Sequence, residues 1–294
     1  MKFLVTGAGG YLGWRATTVL RERGHEVVPL TRPGGRHRAS AADLDAVEVD
    51  AGDVAARNLI AGCDVVLHFA GVPDPSGARA DPAAAVYANV ATTVNMLEGC
   101  RDHGAGLIYP STVRAAGDRP PDAYALSKRL GEEACLLHPA QATVVRLTSV
   151  FGPGQVAWEK ATGAIAIFAA RALEGETIVI GGDPQRTRDF LYVDDLVPAL
   201  EQIAAEKRWG ELLTLGSGVS TPLLRAAELV RDAAGSSSSI ETPGGELAAG
   251  ENESYEIDQG SPRLDFAVRP LEESVPLYVD WLSRHPAAEG RTRA

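Results

Sequence analysis

Short apolar runs alternate with stretches of helical periodicity along the first half of the chain. Lys2–Thr6 (KFLVT) is an apolar run typical of a buried strand, and residues 11–23 repeat their apolar positions at helical spacing. Five further strand-like runs continue the series, at 25–30, 46–49, 64–69, 106–109 and 143–147. Nearly continuous apolar strands that alternate with helices predict a parallel sheet covered on both faces, so we expect an α/β fold with a doubly wound sheet.

The alternation breaks after about residue 150. Gly and Pro punctuate FGPGQ (151–155) and GGDP (181–184), and the run AGSSSS (234–239) is typical of a loop. We therefore expect a first domain followed by a smaller lobe. The predicted boundaries are a first domain of 1–150 to which 188–205 returns, a second lobe of 151–187 and 206–285 that binds the substrate, and a tail of 286–294.

Composition narrows the class of protein. The 294 residues are 45% hydrophobic and carry a net charge of −11, which gives a nucleic-acid backbone no general electrostatic attraction. We see no signal-peptide pattern and no apolar run long enough to span a membrane. Three scattered cysteines and single histidines without metal-ligand spacing indicate reduced thiols, no metal site and a cytoplasmic location.

A glycine motif follows the first predicted strand directly. In TGAGGYLG (6–13), Gly7, Gly10 and Gly13 would allow a tight turn, a close approach to a pyrophosphate and close packing of the helix. Free N–H groups at the start of the helix favour an anion there. The alternative is a purely structural turn, but the position after the strand favours a dinucleotide-binding, Rossmann-type first domain.

The end of the second strand indicates which dinucleotide binds. A carboxylate there would bond the ribose 2′-hydroxyl of NAD, whereas this chain has Thr31 and Arg32, and arginine accommodates a 2′-phosphate. We therefore expect NADP(H) in preference to NAD(H), with Asp53 and Val54 near the adenine. The alternative is a solvated basic loop, which Arg36 and Arg38 would share.

Tyr124 and Lys128 stand four residues apart in DAYALSKRLGEEA (122–134), so their side chains share one helix face. On a helical wheel Leu126, Leu130 and Leu137 fall on the opposite side. A free phenol has a pKa of about 10, so proton exchange near neutral pH requires a stabilised tyrosinate. An ammonium group nearby can supply part of that stabilisation.

A hydroxyl should also bond the reacting oxygen. Ser111 and Thr112, just past the strand at 106–109, are the candidates because the carboxyl ends of parallel strands open onto the ligand crevice. Either hydroxyl alone could equally be a turn or helix cap.

Together these residues resemble the extended short-chain dehydrogenase/reductases, the NAD(P)-dependent group of nucleotide-sugar epimerases and dehydratases. The resemblance extends from residue 1 to about 284. It rests on seven stretches in the expected order: TGAGGYLG (6–13), DVVLHFAG (64–71), NVATTVNMLEGC (89–100), YPSTVRAAG (109–117), YALSK (124–128), RLTSVFGPG (146–154) and RDFLYVDD (188–195).

The resemblance implies roles for individual residues. Tyr124 would be the proton donor or acceptor, Lys128 would bind the nicotinamide ribose and lower the tyrosine pKa, and Thr112 would orient the substrate. The implied cofactor-binding set is Gly7, Gly10, Tyr11, Leu12, Gly13, Thr31, Arg32, Asp53, Val54, Phe69, Ala70, Gly71, Asn89, Tyr124 and Lys128. The implied substrate-binding set is Ser111, Thr112, Ser149 and Arg188, of which Arg188 would contact a diphosphate or instead pair with a neighbouring Asp.

Three departures from the family pattern narrow the chemistry. The sugar 4,6-dehydratases follow the catalytic Thr with Asp-Glu, whereas Val113 and Arg114 stand here, which argues against a dehydratase. An asparagine that contacts the diphosphate is replaced by Ser149. The segment between Thr112 and Tyr124 is also shorter than the family's substrate loop.

The resulting hypothesis is an NADPH-dependent ketoreductase that acts on a nucleotide-activated (deoxy)sugar. The alternatives are a nucleotide-sugar 4-epimerase with bound NAD, a reductase of a small non-sugar carbonyl compound, and a non-catalytic NADP sensor. The resemblance also implies a homodimer.

Overall fold

The computed structural model describes residues 1–34, 44–73, 75–159, 163–247, 250, 251, 253–255, 257, 262 and 264–291. The chain forms two compact units. The first comprises Met1–Leu147, Leu196–Thr214 and Ser261–Leu264, and the second comprises Thr148–Asp195, Leu215–Gly260 and Asp265–Ala294. In this division residues 188–195 belong to the second unit.

A seven-stranded sheet forms the centre of the first unit. Numbered along the chain, its strands are β1 (Lys2–Thr6), β2 (Glu26–Thr31), β3 (Val47–Glu48), β4 (Val65–His68), β5 (Gly106–Thr112), β6 (Ala142–Leu147) and β10 (Leu212–Leu215). Their spatial order is β10-β6-β5-β4-β1-β2-β3, and the pairings among β1 to β6 are parallel. The order reverses direction between β1 and β4, which is the topological switch point of a Rossmann sheet. This confirms the predicted doubly wound α/β fold.

Helices cover this sheet. They are α1 (Tyr11–Glu22), α2 (Val54–Arg57), α3 (Pro75–Ala80), α4 (Pro82–His103), α5 (Ala123–Leu137) and α7 (Val193–Ala205), which belongs to the first unit from Leu196. Short 3₁₀ turns occupy Asn58–Ile60 and Val113–Ala115. The start of α4 follows from its sequence, because Asp81 accepts a hydrogen bond from the Ala84 amide at 2.9 Å and Pro82 fills the first helical position.

The core of the first unit lies between the sheet and α4. Leu4, Val66, Leu107 and Val144 come from adjacent parallel strands, and each is fully buried. Met96 from α4 packs in the same cluster. Because both faces of a parallel sheet are covered, the strands are apolar along their length, as the sequence pattern predicts.

The second unit has smaller sheets. Three strands, β7 (Ser149–Phe151), β9 (Thr187–Tyr192) and β11 (Ser220–Pro222), form one sheet, and β8 (Ile178–Gly181) pairs with β12 (Ile240–Gly244). Its helices are α6 (Ala164–Glu174), α8 (Leu223–Ala233) and α9 (Leu271–Ser283), followed by a 3₁₀ turn at Pro286–Ala288. Phe151 lies at the centre of its apolar cluster, with ring contacts to Phe190, Tyr192 and Tyr278.

One strand boundary differs from the sequence prediction by more than a residue or two. The fifth strand does not end at Tyr109 but runs on to Thr112, so Ser111 and Thr112 are its last two residues instead of lying past it. Pro110 does not stop the strand even though it has no N–H to donate. Along the described part of the chain, no helix has the length and apolar character that a bilayer crossing requires.

Candidate active site

The glycine motif folds into a turn that only glycine permits at two positions. Gly7 has a φ of +65°, and a Cβ there would lie 2.7 Å from the backbone of Phe69 and Ala70 at the end of β4. A Cβ on Gly13 would overlap the carbonyl group of Gly7. Gly10 precedes α1 as its N-cap without a side-chain hydrogen bond, and Tyr11 and Leu12 are the first residues of the helix.

This cradle fits a dinucleotide pyrophosphate. The bare backbone leaves room for a close approach, and the amide groups at the start of α1 offer hydrogen bonds to an anion. The first turn of α1 contains no acidic residue that would repel a phosphate.

A network of side chains fixes the segment after β4. The amide of Ala70 donates to Thr6 Oγ1 at 3.1 Å, and the amide of Val72 donates to Asn89 Oδ1 at 2.7 Å. Asn89 Nδ2 in turn donates to the Val72 carbonyl at 3.2 Å and to Ser127 Oγ at 2.8 Å. All the polar atoms of this buried amide therefore bond to protein, so Asn89 holds the loop of Phe69, Ala70 and Gly71 in place.

His68, the last residue of β4, lies under this loop. Its Nδ1 is 2.8 Å from Thr6 Oγ1, and its Nε2 is 3.3 Å from Thr92 Oγ1. The ring is fully buried, and this burial, with a contribution from the charge of Lys128, lowers the pKa of His68 to about 3. His68 is therefore neutral at physiological pH.

The residues expected at the ribose 2′-phosphate lie at and just after the end of β2, and those expected near the adenine lie at the start of α2. Thr31 is buried at the end of β2, and the side chain of Arg32 after it is exposed. Asp53 is the N-cap of α2, and Val54 is 68% exposed, an unusual fraction for valine. Asn95 holds this turn by donating to the carbonyl oxygens of Ala51 and Asp53, both at 2.8 Å.

Arg36 and Arg38, the other members of the basic loop, lie outside the described residues.

Tyr124 and Lys128 both lie on the first two turns of α5, as the sequence predicts. Asp122 caps the helix by accepting a hydrogen bond from the Ala125 amide at 2.8 Å. Tyr124 is half-buried, and its carbonyl oxygen accepts a hydrogen bond from Ser127 Oγ at 2.7 Å. Ser127 also bonds to Asn89, so one hydroxyl links the start of α5 to the loop after β4.

Lys128 is buried with only 8% of its surface exposed. Its ammonium group donates to the carbonyl oxygen of Pro110 at 2.9 Å and lies 4.8 Å from the centre of the Tyr109 ring. Burial lowers the pKa of Lys128 from 10.5 to about 8, while the nearby Cys135 and Glu132 act in the opposite direction. The side chain is therefore mainly charged at pH 7 but close to its titration.

The two hydroxyls at the end of β5 point in different directions, since successive strand residues face opposite sides of a sheet. Ser111 Oγ donates to Glu132 Oε1 at 2.5 Å, and that carboxylate also accepts two hydrogen bonds from Arg146, at 2.9 and 2.6 Å. Thr112 Oγ1 accepts a hydrogen bond from the Arg114 amide at 3.3 Å. Ser111 is thus part of a buried ionic network, and Thr112 is the hydroxyl outside that network.

The second unit contains Ser149 and Arg188. Ser149 is the first residue of β7 and pairs with Phe190 on β9. Arg188 Nη1 donates to the carbonyl oxygens of Thr187 at 2.8 Å and Glu253 at 2.5 Å, and its Nη2 donates to Glu251 O at 3.2 Å.

The guanidinium of Arg188 also lies 4.9 Å from the centre of the Tyr255 ring. The neighbouring Asp189 accepts hydrogen bonds from Thr148, Ser217 and Gly218. In this structure Arg188 therefore braces Glu251, Glu253 and Tyr255.

Sequence reasoning did not assign a structural role to four residues that organise this site: Ser127, Glu132, Asn95 and Arg114, of which Arg114 was noted only as a departure from the dehydratase pattern. Ser127 lies in YALSK (124–128), and Asn95 lies in NVATTVNMLEGC (89–100). In both stretches the available signal was a polar residue on a helix face next to small buried residues. Glu132 follows Lys128 by one helical turn, and its buried position opposite Arg146 depends on the pairing of β5 with β6.

Known proteins are similar to this chain in sequence and in fold. The sequence model of the NAD dependent epimerase/dehydratase family matches residues 3–216. A dTDP-4-dehydro-6-deoxy-D-allose reductase from Streptomyces bikiniensis is 28% identical over 96% of this chain and 96% of its own. A UDP-glucose 4-epimerase from Mycolicibacterium smegmatis is 30% identical over 75% of this chain and 79% of its own.

Among solved structures, the fold is similar to that of a UDP-glucose 4-epimerase from Thermus thermophilus in complex with NAD. The TM-score is 0.79 at 24% identity, with 97% of this chain and 99% of the other covered. The family match covers most of the chain and confirms the resemblance drawn from the seven sequence stretches. The protein belongs to the NAD dependent epimerase/dehydratase family.

Proposed function

We propose that this protein is an NADPH-dependent ketoreductase that reduces a keto group of a nucleotide-activated deoxysugar. At the coarser level, the family and the relatives support an enzyme that uses a pyridine nucleotide and acts on a small nucleotide-sugar substrate. The observation that carries the finer proposal is the set of Thr112, Tyr124 and Lys128, which lies in the same unit as the glycine cradle.

Each of these side chains has a task in a reduction. The pyridine nucleotide supplies the hydride when bound. Tyr124 delivers a proton to the carbonyl oxygen of the substrate, and Thr112 hydrogen-bonds the same oxygen. Thr112 Oγ1 accepts a hydrogen bond from the Arg114 amide, and a hydroxyl that accepts one bond can still donate its own hydrogen to the substrate oxygen. The charge of Lys128 favours the tyrosinate that remains after proton transfer.

Arg32 supports the preference for NADP(H). It follows β2 directly and is exposed, where its planar guanidinium can bind a 2′-phosphate. A carboxylate that bonds the ribose 2′-hydroxyl of NAD would stand at position 31 or 32, and these positions are Thr31 and Arg32 here.

Reduction is preferred over the other reactions of the family for chemical reasons. A dehydratase needs an acid and a base beside the catalytic hydroxyl, and Val113 and Arg114 follow Thr112 instead. A 4-epimerase returns its hydride to the sugar and usually retains bound NAD. The epimerase relative is as similar as the reductase relative, so 4-epimerisation is the second candidate.

A non-sugar carbonyl substrate is favoured by one specific observation. Ser149 stands where the family pattern has an asparagine that contacts the diphosphate. The guanidinium of Arg188, the other residue expected at a diphosphate, bonds to three backbone carbonyl groups. A nucleotide sensor without catalysis is the least favoured alternative, because it would need neither Tyr124 nor Lys128.

A homodimer is also proposed, through α4 and α5. These helices expose large apolar side chains, with Tyr87 73%, Leu130 40% and Leu137 82% exposed. Light scattering should give twice the monomer mass, and Leu130→Glu should reduce it to the monomer mass.

The experiment that tests the function measures NADPH consumption with a panel of keto-sugar nucleotides and simple ketones. Net NADPH oxidation with a keto-sugar nucleotide that falls by a factor of about 100 or more in Tyr124→Phe supports the ketoreductase. Tightly retained NAD with interconversion of two sugars supports the epimerase. Binding of NADPH without any turnover supports the sensor.

A further inference from the structure

The segment 113–122 joins the end of β5 to the start of α5, and α5 holds it from the side. Val113–Ala115 form a 3₁₀ turn. At its start the backbone amide of Arg114 donates a hydrogen bond to Thr112 Oγ1 at 3.3 Å. Arg129 on α5 donates from Nη1 to the carbonyl oxygens of Ala115 at 3.1 Å and Gly117 at 2.6 Å. The first half of the segment is therefore tied to the body of the helix.

The two ends of the segment are joined by an ion pair. Arg114 Nη2 bonds to Asp122 Oδ2, and the side chains are only 12% and 5% exposed. The other oxygen of this carboxylate, Oδ1, caps α5 through the Ala125 amide at 2.8 Å. One aspartate thus fixes both the start of α5 and the side chain that follows Thr112 by two residues.

These contacts form a continuous path between the two groups that share the substrate oxygen. Thr112 bonds to the amide of Arg114, the side chain of Arg114 bonds to Asp122, and Tyr124 lies in the helical turn that Asp122 caps. We propose that Arg114 and Asp122 are positioning residues, which set the spacing between the Thr112 hydroxyl and the Tyr124 phenol. This inference rests on the proposed ketoreductase function.

The chemistry makes this spacing important. Two hydroxyl groups must reach one oxygen within hydrogen-bond distance, and a displacement of about 1 Å can cost a factor of about 100 in rate. The ion pair of Arg114 and Asp122 also restricts the reactions that the site can support. A guanidinium that is bound to a carboxylate offers no base at the second position after Thr112, so proton removal from a carbon beside the carbonyl is not supported there.

Four variants test the proposal: R114M, R114K, D122N and the double variant R114M/D122N. Asparagine caps a helix as well as aspartate does, so D122N removes the ion pair but retains the cap. We expect R114M and D122N each to lower kcat about 10- to 100-fold, with the KM for NADPH changed less than about twofold. R114K should recover part of the loss, and the double variant should be no worse than either single variant, because both remove the same interaction.

The matched control is R225M on α8. Arg225 is half-exposed, and its carboxylate partners Glu228 and Glu272 lie 3.8 Å away, so kcat should not change. Unchanged kcat in a folded R114M, or losses that multiply in the double variant, would overturn the proposal. If R114M does not fold, D122N carries the same test.

A readout that does not depend on turnover separates this inference from the proposed function. Hydrogen exchange of the amides in residues 112–126 should accelerate at least about fivefold in R114M and D122N and stay unchanged in R225M. Unchanged exchange in R114M overturns the positioning role even if the wild type reduces keto-sugars. Accelerated exchange supports the role even if no substrate in the panel is reduced.

Discussion

The ammonium nitrogen of Lys128 lies 2.9 Å from the carbonyl oxygen of Pro110 on the neighbouring strand β5. This bond orients a buried cation that shares a helix face with Tyr124. Burial lowers the pKa of Lys128 from 10.5 to about 8, so the folded protein carries this charge at the expense of stability. Packing alone would favour an apolar side chain here, and the proposed function gives the charge of Lys128 a task beside Tyr124.

The stability of the protein should depend on pH through Lys128. Its folded pKa of about 8 lies below the unfolded value, so the unfolded state binds more protons between the two values and stability rises with pH there. The unfavourable contribution of Lys128 to the free energy of unfolding is fully present below pH 8. It disappears as the pH rises to the pKa of the unfolded state. Relative to K128M, the wild type should therefore gain about 3 kcal/mol in free energy of unfolding between pH 7 and pH 10.5.

Urea denaturation of both proteins at several pH values measures this difference. The comparison with K128M cancels the titration of the other groups, which the two proteins share. A difference that stays constant across the range would show that Lys128 titrates at its ordinary pKa in the folded state.

In Asn89, the two hydrogen bonds that the side-chain NH₂ group donates should contribute more to stability than the one that its oxygen accepts. In N89D the carboxylate still accepts the Val72 amide, but the bonds to the Val72 carbonyl and Ser127 are lost and a charge is buried. We expect a loss of about 1–3 kcal/mol in stability and about a tenfold loss in nucleotide affinity. Thermal unfolding and fluorescence titration with NADPH measure the two effects, and N58D, at an exposed position, is the control.

Arg32 should determine the choice of dinucleotide. In R32A we expect NADPH affinity to fall about tenfold or more, because a charge-assisted contact to the 2′-phosphate is lost, while NADH affinity changes little. Titration of both nucleotides measures the ratio, with R284A as a control at an arginine whose side chain is 76% exposed. Equal losses for both nucleotides would contradict the assigned role.

Gly131 should tolerate no side chain while Tyr109 keeps its hydroxyl. A Cβ at Gly131 would overlap that hydroxyl and approach the ring carbon beneath it to 2.6 Å. We expect G131A to cost about 1–3 kcal/mol through overpacking, and Y109F in the same chain to recover only part of that loss, because the ring carbon remains. Chemical denaturation of both single variants and the double variant gives the coupling. Additive losses would show that the two residues do not compete for the same space.

The sequence predicted the sheet well because each strand is marked locally. Apolar runs bounded by glycines and polar turns locate β1, β2 and β4 to within a residue or two at each end, and the glycine motif lies where β1 ends. The end of β5 was less predictable, because Pro110 reads as a strand breaker whereas here it lies within the strand and supplies its carbonyl to Lys128.

The side-chain contacts of the site were much less predictable. Leu126, Leu130 and Leu137 form an apolar face that a helical wheel would assign to the core, but they are 43%, 40% and 82% exposed, and the face with Lys128 is buried. Spacing alone did not distinguish Ser111 from Thr112, and the preference for Thr112 came from the family resemblance. The partner of Ser111, Glu132, lies on a helix one turn beyond Lys128, and its location depends on tertiary packing.

The buried histidine beneath the loop after β4 has a fixed proton arrangement. Thr92 uses its own hydrogen to donate to Ala88 O at 2.5 Å, so it accepts from His68 Nε2, and His68 Nδ1 then accepts from the Thr6 hydroxyl. The oxygen of Thr6 in turn receives the Ala70 amide.

Every hydrogen along this chain therefore points one way, and a second proton on the imidazole would force the threonine hydroxyl to reverse. With a pKa of about 3, that reversal needs strong acid. The backbone that flanks the glycine turn should keep its shape in mildly acidic compartments or media where an ordinary histidine would already have become a cation.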